Sequence, residues 1–291
     1  MTSAAEPTLE TLSDRARGLL QGALDIHVHA DPDPYAERKA DFGATVARAR
    51  EAGLAGLVLK SHEYPTQPLA WTLDREFSGI DVYGGVALDW GVGGLNPEAA
   101  SITLRIGGKV VWMPTFDALH WRSYRPGGFN SPQEPITVLD EDGALLPVCH
   151  DILDVIASHD AVLASGHLSP AETQAILGEG LARGMRCVIT HASFWTPVEL
   201  QQEIVAKGGY IEQCAIAVAG EEGEEAWPDL LRQVREVGPE RVILSSDHGQ
   251  ASNPEPVAAL ATFGERFVEA GLGEAEVRRM LSDNPRRLLA G

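Results

Sequence analysis

Apolar runs rich in Val, Ile and Leu alternate with helix-forming segments along the 291 residues, and the pattern predicts an α/β protein built as a single (β/α)8 TIM barrel. Three observations carry that expectation. Regular alternation implies parallel strands joined by right-handed crossovers. The runs number eight, which is the count that closes a barrel. Ionisable residues recur at the carboxyl ends of several runs, where barrels gather their chemistry. An open doubly wound sheet is the competing architecture, but no glycine-rich phosphate loop follows the first strand.

Residues 1–21 read as a helical lead-in whose Leu9, Leu12, Leu19 and Leu20 cover one end of the core. The first strand, 24–30, runs Leu-Asp-Ile-His-Val-His-Ala. Side chains alternate along a strand, so His27 and His29 share one face while Ile26 and Val28 share the other. Two imidazoles aimed into one space suit a divalent ion; the plainer reading is a pair of hydrogen-bonded core histidines. After a turn at Asp31-Pro32-Asp33-Pro34 and a helix over 43–52, strand two, 55–62, ends with Lys60 and His62 on one face. They read either as a cationic grip on a substrate carboxylate or as strand-end groups reaching water. Strand three, 82–89, ends in Asp89 before a glycine-rich loop, and strand four, 109–116, follows a helix over 97–106.

The longest irregular stretch, 117–147, comes next and reads as an insertion that forms a lid or a substrate wall. It carries Asp117, His120, Trp121, Arg122, Tyr124, Arg125 and Phe129, with a small hairpin across Glu141-Asp142-Gly143. Strands five, 161–168, and six, 186–193, share one plan. Each places a histidine, His167 or His191, at its carboxyl end and leads to a capping box with Pro at the first helical position. The boxes are Ser169-Pro170-Ala171-Glu172 and Thr196-Pro197-Val198-Glu199. Strand seven, 210–218, has Glu212 near its start, where a salt bridge is expected. Strand eight, 241–248, ends in Asp247, with His248 facing away, and helices over 255–270 and 274–281 follow. No break in composition marks a second domain, so 1–291 reads as one.

A hydrophobic content of 44% with 22% charged residues is that of a globular chain with a substantial core. The net charge of -19, from 23 basic and 42 acidic residues, argues against nucleic acid or an anionic membrane as partner and leaves a small-molecule substrate. No apolar run reaches the roughly 20 residues that span a bilayer, and Glu6, Glu10 and Asp14 stand where a signal peptide would be apolar. Cys149, Cys187 and Cys214 have no Cys-x-x-Cys spacing and read as buried thiols of a reducing compartment, so a cytoplasmic protein is expected. Homo-oligomerisation stays open.

His27-Val28-His29, then His167, His191 and Asp247 at successive strand ends, with Asn284-Pro285-Arg286-Arg287-Leu288 near the end, resemble the metal-dependent amidohydrolase superfamily. The resemblance implies that His27, His29 and Asp247 hold a divalent metal ion, and that His167 and His191 complete that site or hold a second ion. Zinc is expected ahead of manganese, iron or nickel. Many members bridge two ions with a carbamylated Lys or a Glu at the end of strand four. Here Val110-Val111-Trp112-Met113-Pro114-Thr115-Phe116 offers neither, which favours one ion unless Lys60 bridges from strand two.

The chemistry expected of such a site is hydrolysis of an amide, lactone or ester bond in a small, cyclic or open, substrate by metal-activated water. Asp247 would act as general base and then acid, and the ion or His191 would stabilise the developing oxyanion. Lys60, His62, Trp121 and Arg125 are the expected substrate contacts, with Trp195 a further candidate for the pocket wall. Two other functions compete: a mononuclear, non-oxidative decarboxylase of an aromatic or unsaturated acid, and a binding barrel without turnover.

Overall fold

Val, Ile and Leu runs buried on both faces favour parallel strands. They form β1 (Leu24–Val28), β2 (Gly56–Leu59), β3 (Asp81–Ala87) and β4 (Val110–Trp112), then β5 (Val162–Ala164), β6 (Arg186–Ile189), β7 (Tyr210–Cys214) and β8 (Val242–Ser245). In the structure, a computed structural model that describes residues 6–127 and 131–290, the strands pair in parallel in the order β1 to β8. Phe129 lies outside the described residues. The ring closes past the end of β8: Asp247 N–H donates to His27 O at 2.9 Å, and His29 N–H donates to His248 O at 2.9 Å. This is the (β/α)8 TIM barrel that the alternation predicts.

All eight strands contribute to an inner apolar cluster that includes Leu24, Ile26, Val58, Trp112, Val188 and Ile243, while Val28 packs in the outer layer beneath the helices. Strict alternation from Ile26 would send Val28 inward too. A register shift between Asp25 and Val28 against β2 breaks the alternation. That bulge is what turns His27 and His29 toward the barrel axis although Ile26 also points there, correcting the expected opposition of Ile26 to the histidines.

The strands also stop short of the expected ends, because the residues beyond them curve over the mouth. Two of their backbone N–H groups go to side chains rather than to the ladder: Asp25 accepts from Ser246 N–H at 3.0 Å, and Asp89 from Thr115 N–H at 2.7 Å.

The first capping box forms as read, with Glu172 accepting from Ser169 N–H at 3.0 Å. Its other oxygen accepts from Thr137 Oγ1 at 2.8 Å and Val138 N–H at 3.2 Å, so the same carboxylate anchors the inserted loop. The second box does not form. His191 is left-handed, with φ 30°, and opens a 3-10 turn over Ala192–Phe194. Thr196 is thereby buried, and helix Val198–Ala206 starts without a side-chain cap.

The lead-in is helical over Asp14–Leu20, and Leu19 and Leu20 are fully buried. At the other end the helix expected over 274–281 stops at Arg278, and a π-helical turn, Arg279–Asp283, leads to a further helix, Asn284–Leu289. Asn284 joins the last piece to the barrel by donating to Val242 O at 2.6 Å. Among the described residues no helix is long and apolar enough to cross a membrane.

Candidate metal centre

His27 on β1, His29 just past it and Asp247 just past β8 meet at the carboxyl end of the barrel. The Nε2 atoms of His27 and His29 stand 3.1 Å and 3.2 Å from Asp247 Oδ1. Two ligand atoms each about 2.0 to 2.2 Å from a tetrahedral ion lie about 3.4 Å apart, so the trio already has a chelating separation. His191 stands further back, its Nε2 3.9 Å from Asp247 Oδ2. His167 packs beside it with ring centroids 4.7 Å apart. The five residues named from sequence therefore gather as three whose ligand atoms all lie within 4.8 Å of one another and a pair alongside.

Both ring nitrogens of buried His167, and Nδ1 of buried His191, have no hydrogen-bond partner among the described residues. Buried polar atoms are rarely left so, and a set of orphaned imidazoles around a carboxylate fits a divalent cation. Burial lowers the pKa of His29 and of His191 to about 3 and holds His167 well below the usual range. Neutral imidazole is the form that binds metal. Burial works against ionisation of Asp247, but the His27 charge and the hydrogen bonds of His27 and His29 outweigh it and keep the carboxylate ionised. Asp247 and His191 both hold left-handed backbone, at φ 51° and 30°, a strained conformation that clusters at functional sites.

Glu212 does more than the expected salt bridge. Its Oε1 lies 3.1 Å from His27 Nδ1 and accepts from Ser245 Oγ at 2.7 Å, while Oε2 accepts from His191 N–H at 3.2 Å. A carboxylate on Nδ1 fixes the ring so that Nε2, 3.1 Å from Asp247 Oδ1, is the nitrogen that would be offered to an ion. For His27 itself burial opposes charge, yet Asp247 and Glu212 prevail and raise its pKa to about 8.

Lys60 is only 1% exposed, which excludes a strand-end lysine reaching water. Its Nζ lies 3.0 Å from His27 Nε2 and 5.4 Å from the centre of the Trp112 ring, and burial lowers its pKa. It is also absent from the cavity wall, where the sequence reading placed it. His62 is on that wall, stacked between His29 and Phe116, with Nδ1 2.7 Å from Thr115 Oγ1.

The cavity above the centre, of about 290 Å3, is walled by Phe116, Trp121, Tyr124 and Phe194, with Arg38 and Arg125 as its cations. Trp195 packs its ring on His191 and His167, with centroids 5.3 and 5.6 Å apart. Asp89 is a scaffold: besides Thr115 it accepts from Asp117 N–H at 3.0 Å, and burial raises its pKa to about 6. Asp117 and Arg122 pair with each other inside the insertion, and His120 packs on Trp195. His248 turns away from the centre, its Nδ1 3.1 Å from Pro254 O. Sequence reasoning missed Arg38 and Phe116. Neither lies in a motif, and only the folding of their loops brings them to the mouth.

A family model described as a family of unknown function, DUF6282, matches residues 22–212. The chain belongs to that family. No curated protein matches the sequence. Among solved structures, this DUF6282 member is similar to an amidohydrolase from Pseudomonas aeruginosa at 12% identity and a TM-score of 0.62, over 94% of this chain and 98% of that one. It is also similar to an amidohydrolase from Burkholderia multivorans with bound zinc, at 13% identity and a TM-score of 0.55, over 92% and 99% of the two chains. A third similar structure is 2,6-dihydroxybenzoate decarboxylase complexed with 2,6-dihydroxybenzoate, at 13% identity and a TM-score of 0.54, over 92% and 99%. The fold of the DUF6282 chain is thus that of the amidohydrolase-superfamily TIM barrels.

Proposed function

We propose that this protein is a metal-dependent hydrolase that cleaves an amide, lactone or ester bond of a small molecule at the barrel mouth. The observation that carries this reading is the Asp247 carboxylate held 3.1 and 3.2 Å from His27 and His29 on the floor of a ring-walled cavity. His27, His29 and Asp247 would hold a divalent ion, zinc first and one rather than two, with His191 and His167 beside it. Such an ion supplies Lewis acidity and lowers the pKa of a neighbouring water to about 7.

The protein's own groups supply the rest. Asp247, kept ionised by the imidazoles, takes a proton from the attacking water and delivers it to the departing nitrogen or oxygen. Neutral His191, with its unpartnered Nδ1, donates a hydrogen bond to the carbonyl oxygen as charge builds there. The rings of Phe116 and Trp121 keep bulk water from the rest of the substrate.

The Asp247→Asn variant tests these roles. General acid and base catalysis contributes about 100- to 10,000-fold, so turnover should fall by that much in a hydrolysis assay, with incorporation of labelled water as the signature of the wild type. Unchanged turnover would remove Asp247 from the mechanism.

One observation favours a second reading, decarboxylation of an aromatic or unsaturated acid. Between β4 and the insertion there is no Lys or Glu to bridge two ions, in keeping with mononuclear chemistry. Release of carbon dioxide without uptake of labelled oxygen would replace the first reading with the second.

A further inference from the structure

What the cavity selects turns on Arg38, in the loop after β1. Its side chain is 4% exposed and lines the same cavity as His29 and Asp247. Asp33 holds it in place, Oδ2 accepting from Nε at 3.0 Å and from Nη2 at 2.6 Å. Asp33 is fixed in turn, since Oδ1 accepts from the backbone N–H of Tyr35 at 2.9 Å and of Ala36 at 2.8 Å. Backbone pairing of Arg38 with Gln250, and Lys39 N–H donating to Gly249 O at 2.8 Å, fasten the loop to the end of β8.

A guanidinium carries five N–H donors. Asp33 takes two, and the others meet no acceptor among the described residues. The surrounding charge favours an anion as the missing acceptor. The chain has 42 acidic residues against 23 basic ones, yet among the described residues Asp247 is the one carboxylate lining this cavity, and it is engaged by imidazoles, while Arg38, paired with Asp33, and Arg125 are both there. Phe116 and Trp121 supply a flat apolar wall, their rings 5.2 Å apart and 19° from parallel.

We propose that Arg38 is the specificity-determining residue of this site, binding the carboxylate of a small flat acid whose ring lies against Phe116 and Trp121. The planar fork of an arginine matches a carboxylate with two parallel hydrogen bonds, and Asp33 has already ordered it. Lys60, the expected cationic grip, does not line the cavity and is bonded to His27, so the role passes to Arg38. The proposal rests on the reading above for where the reacting bond lies, but the grip itself stands apart from the reaction.

The test is calorimetric binding of benzoate and benzamide to the protein as purified with its metal. Wild type should bind benzoate at least about tenfold more tightly than benzamide. Arg38→Met should lose that factor for benzoate alone, and Arg38→Lys should recover part of it. If Arg38→Met does not fold, the double variant Asp33→Asn/Arg38→Met, which leaves no lone buried charge, is read in the same way. Three results would overturn the proposal: no benzoate bound by wild type, full benzoate affinity in the Met variant because the ion alone holds the acid, or equal loss of both ligands because Arg38 only props up the loop. Arg38-dependent benzoate binding without hydrolysis of any ester, lactone or amide would sink the hydrolase reading and leave this one standing. Hydrolysis without Arg38-dependent discrimination would do the reverse.

Discussion

Glu212 shows how one buried carboxylate aligns two halves of a centre. It reaches His27 Nδ1 on one side and the His191 backbone on the other, so the imidazole of β1 and the turn after β6 move as a unit. Partners of this kind are worth about 10- to 100-fold in metal affinity. Glu212→Gln should therefore weaken zinc binding by that factor in a competition with a chromophoric chelator, and unchanged affinity would mean that Glu212 serves packing alone. Gly249 makes a second point at this scale. Its φ is 139°, and a Cβ there would meet His29 O at 1.9 Å, so this position must lack a side chain for β1 and β8 to close the ring. His27, His29, His167, His191 and Asp247 were legible because their types and order are chemical. Arg38 was not, because an arginine reads as a solvated surface residue until the fold buries it, and of Glu212 only the salt bridge was legible.

Among the elements, the β1 bulge decides most. A one-residue slip in a strand exchanges its faces, so the bulge sends both imidazoles inward while still letting Ile26 fill the core. The helix after β5 shows a second economy, its capping glutamate also anchoring the insertion through Thr137 and Val138. Glu172→Ala removes the reciprocal half of the capping box, since Ser169 Oγ still accepts from the backbone N–H of residue 172, and leaves the buried Val138 N–H without a partner. A buried donor left unsatisfied costs about 1 to 3 kcal/mol, so the unfolding midpoint in denaturant should fall by the equivalent of about that amount. A change within about 0.5 kcal/mol would show that the anchor is dispensable. The twin capping box at Thr196 looked equally good on paper and failed, because the left-handed turn at His191 diverts the chain before the helix begins.

For the molecule as a whole, stability should depend on pH through the mouth. His29 and His191 have pKa values near 3 in the fold, and His62 and His167 are also well below the ordinary value. Below about pH 6.5 the unfolded chain binds protons on these groups that the fold excludes, so they make stability rise as pH rises toward 6.5. Asp25 and Glu63 at about 7, and Asp89 at about 6, act the other way, since the fold retains protons that the unfolded chain has released near pH 4. His27 at about 8 loses its contribution as pH rises through 8. The four lowered histidines are thus opposed by three carboxyls and His27, and metal binding tips the balance toward the lowered histidines because its ligands must shed protons. The thermal midpoint of the metal-loaded protein should therefore climb from pH 5 to about 6.5, and fall when a chelator is added at pH 6.5. A midpoint that is flat across that range and indifferent to chelation would contradict a bound ion.

The sequence by itself determined the number and order of strands and the residue types able to hold a metal, because hydrophobic periodicity and ligand chemistry are local properties written one residue at a time. Tertiary structure decided which atoms meet. The bulge in β1, the burial of Lys60 against His27 and the fixing of Arg38 by Asp33 over the cavity each depend on contacts between segments that no local pattern encodes.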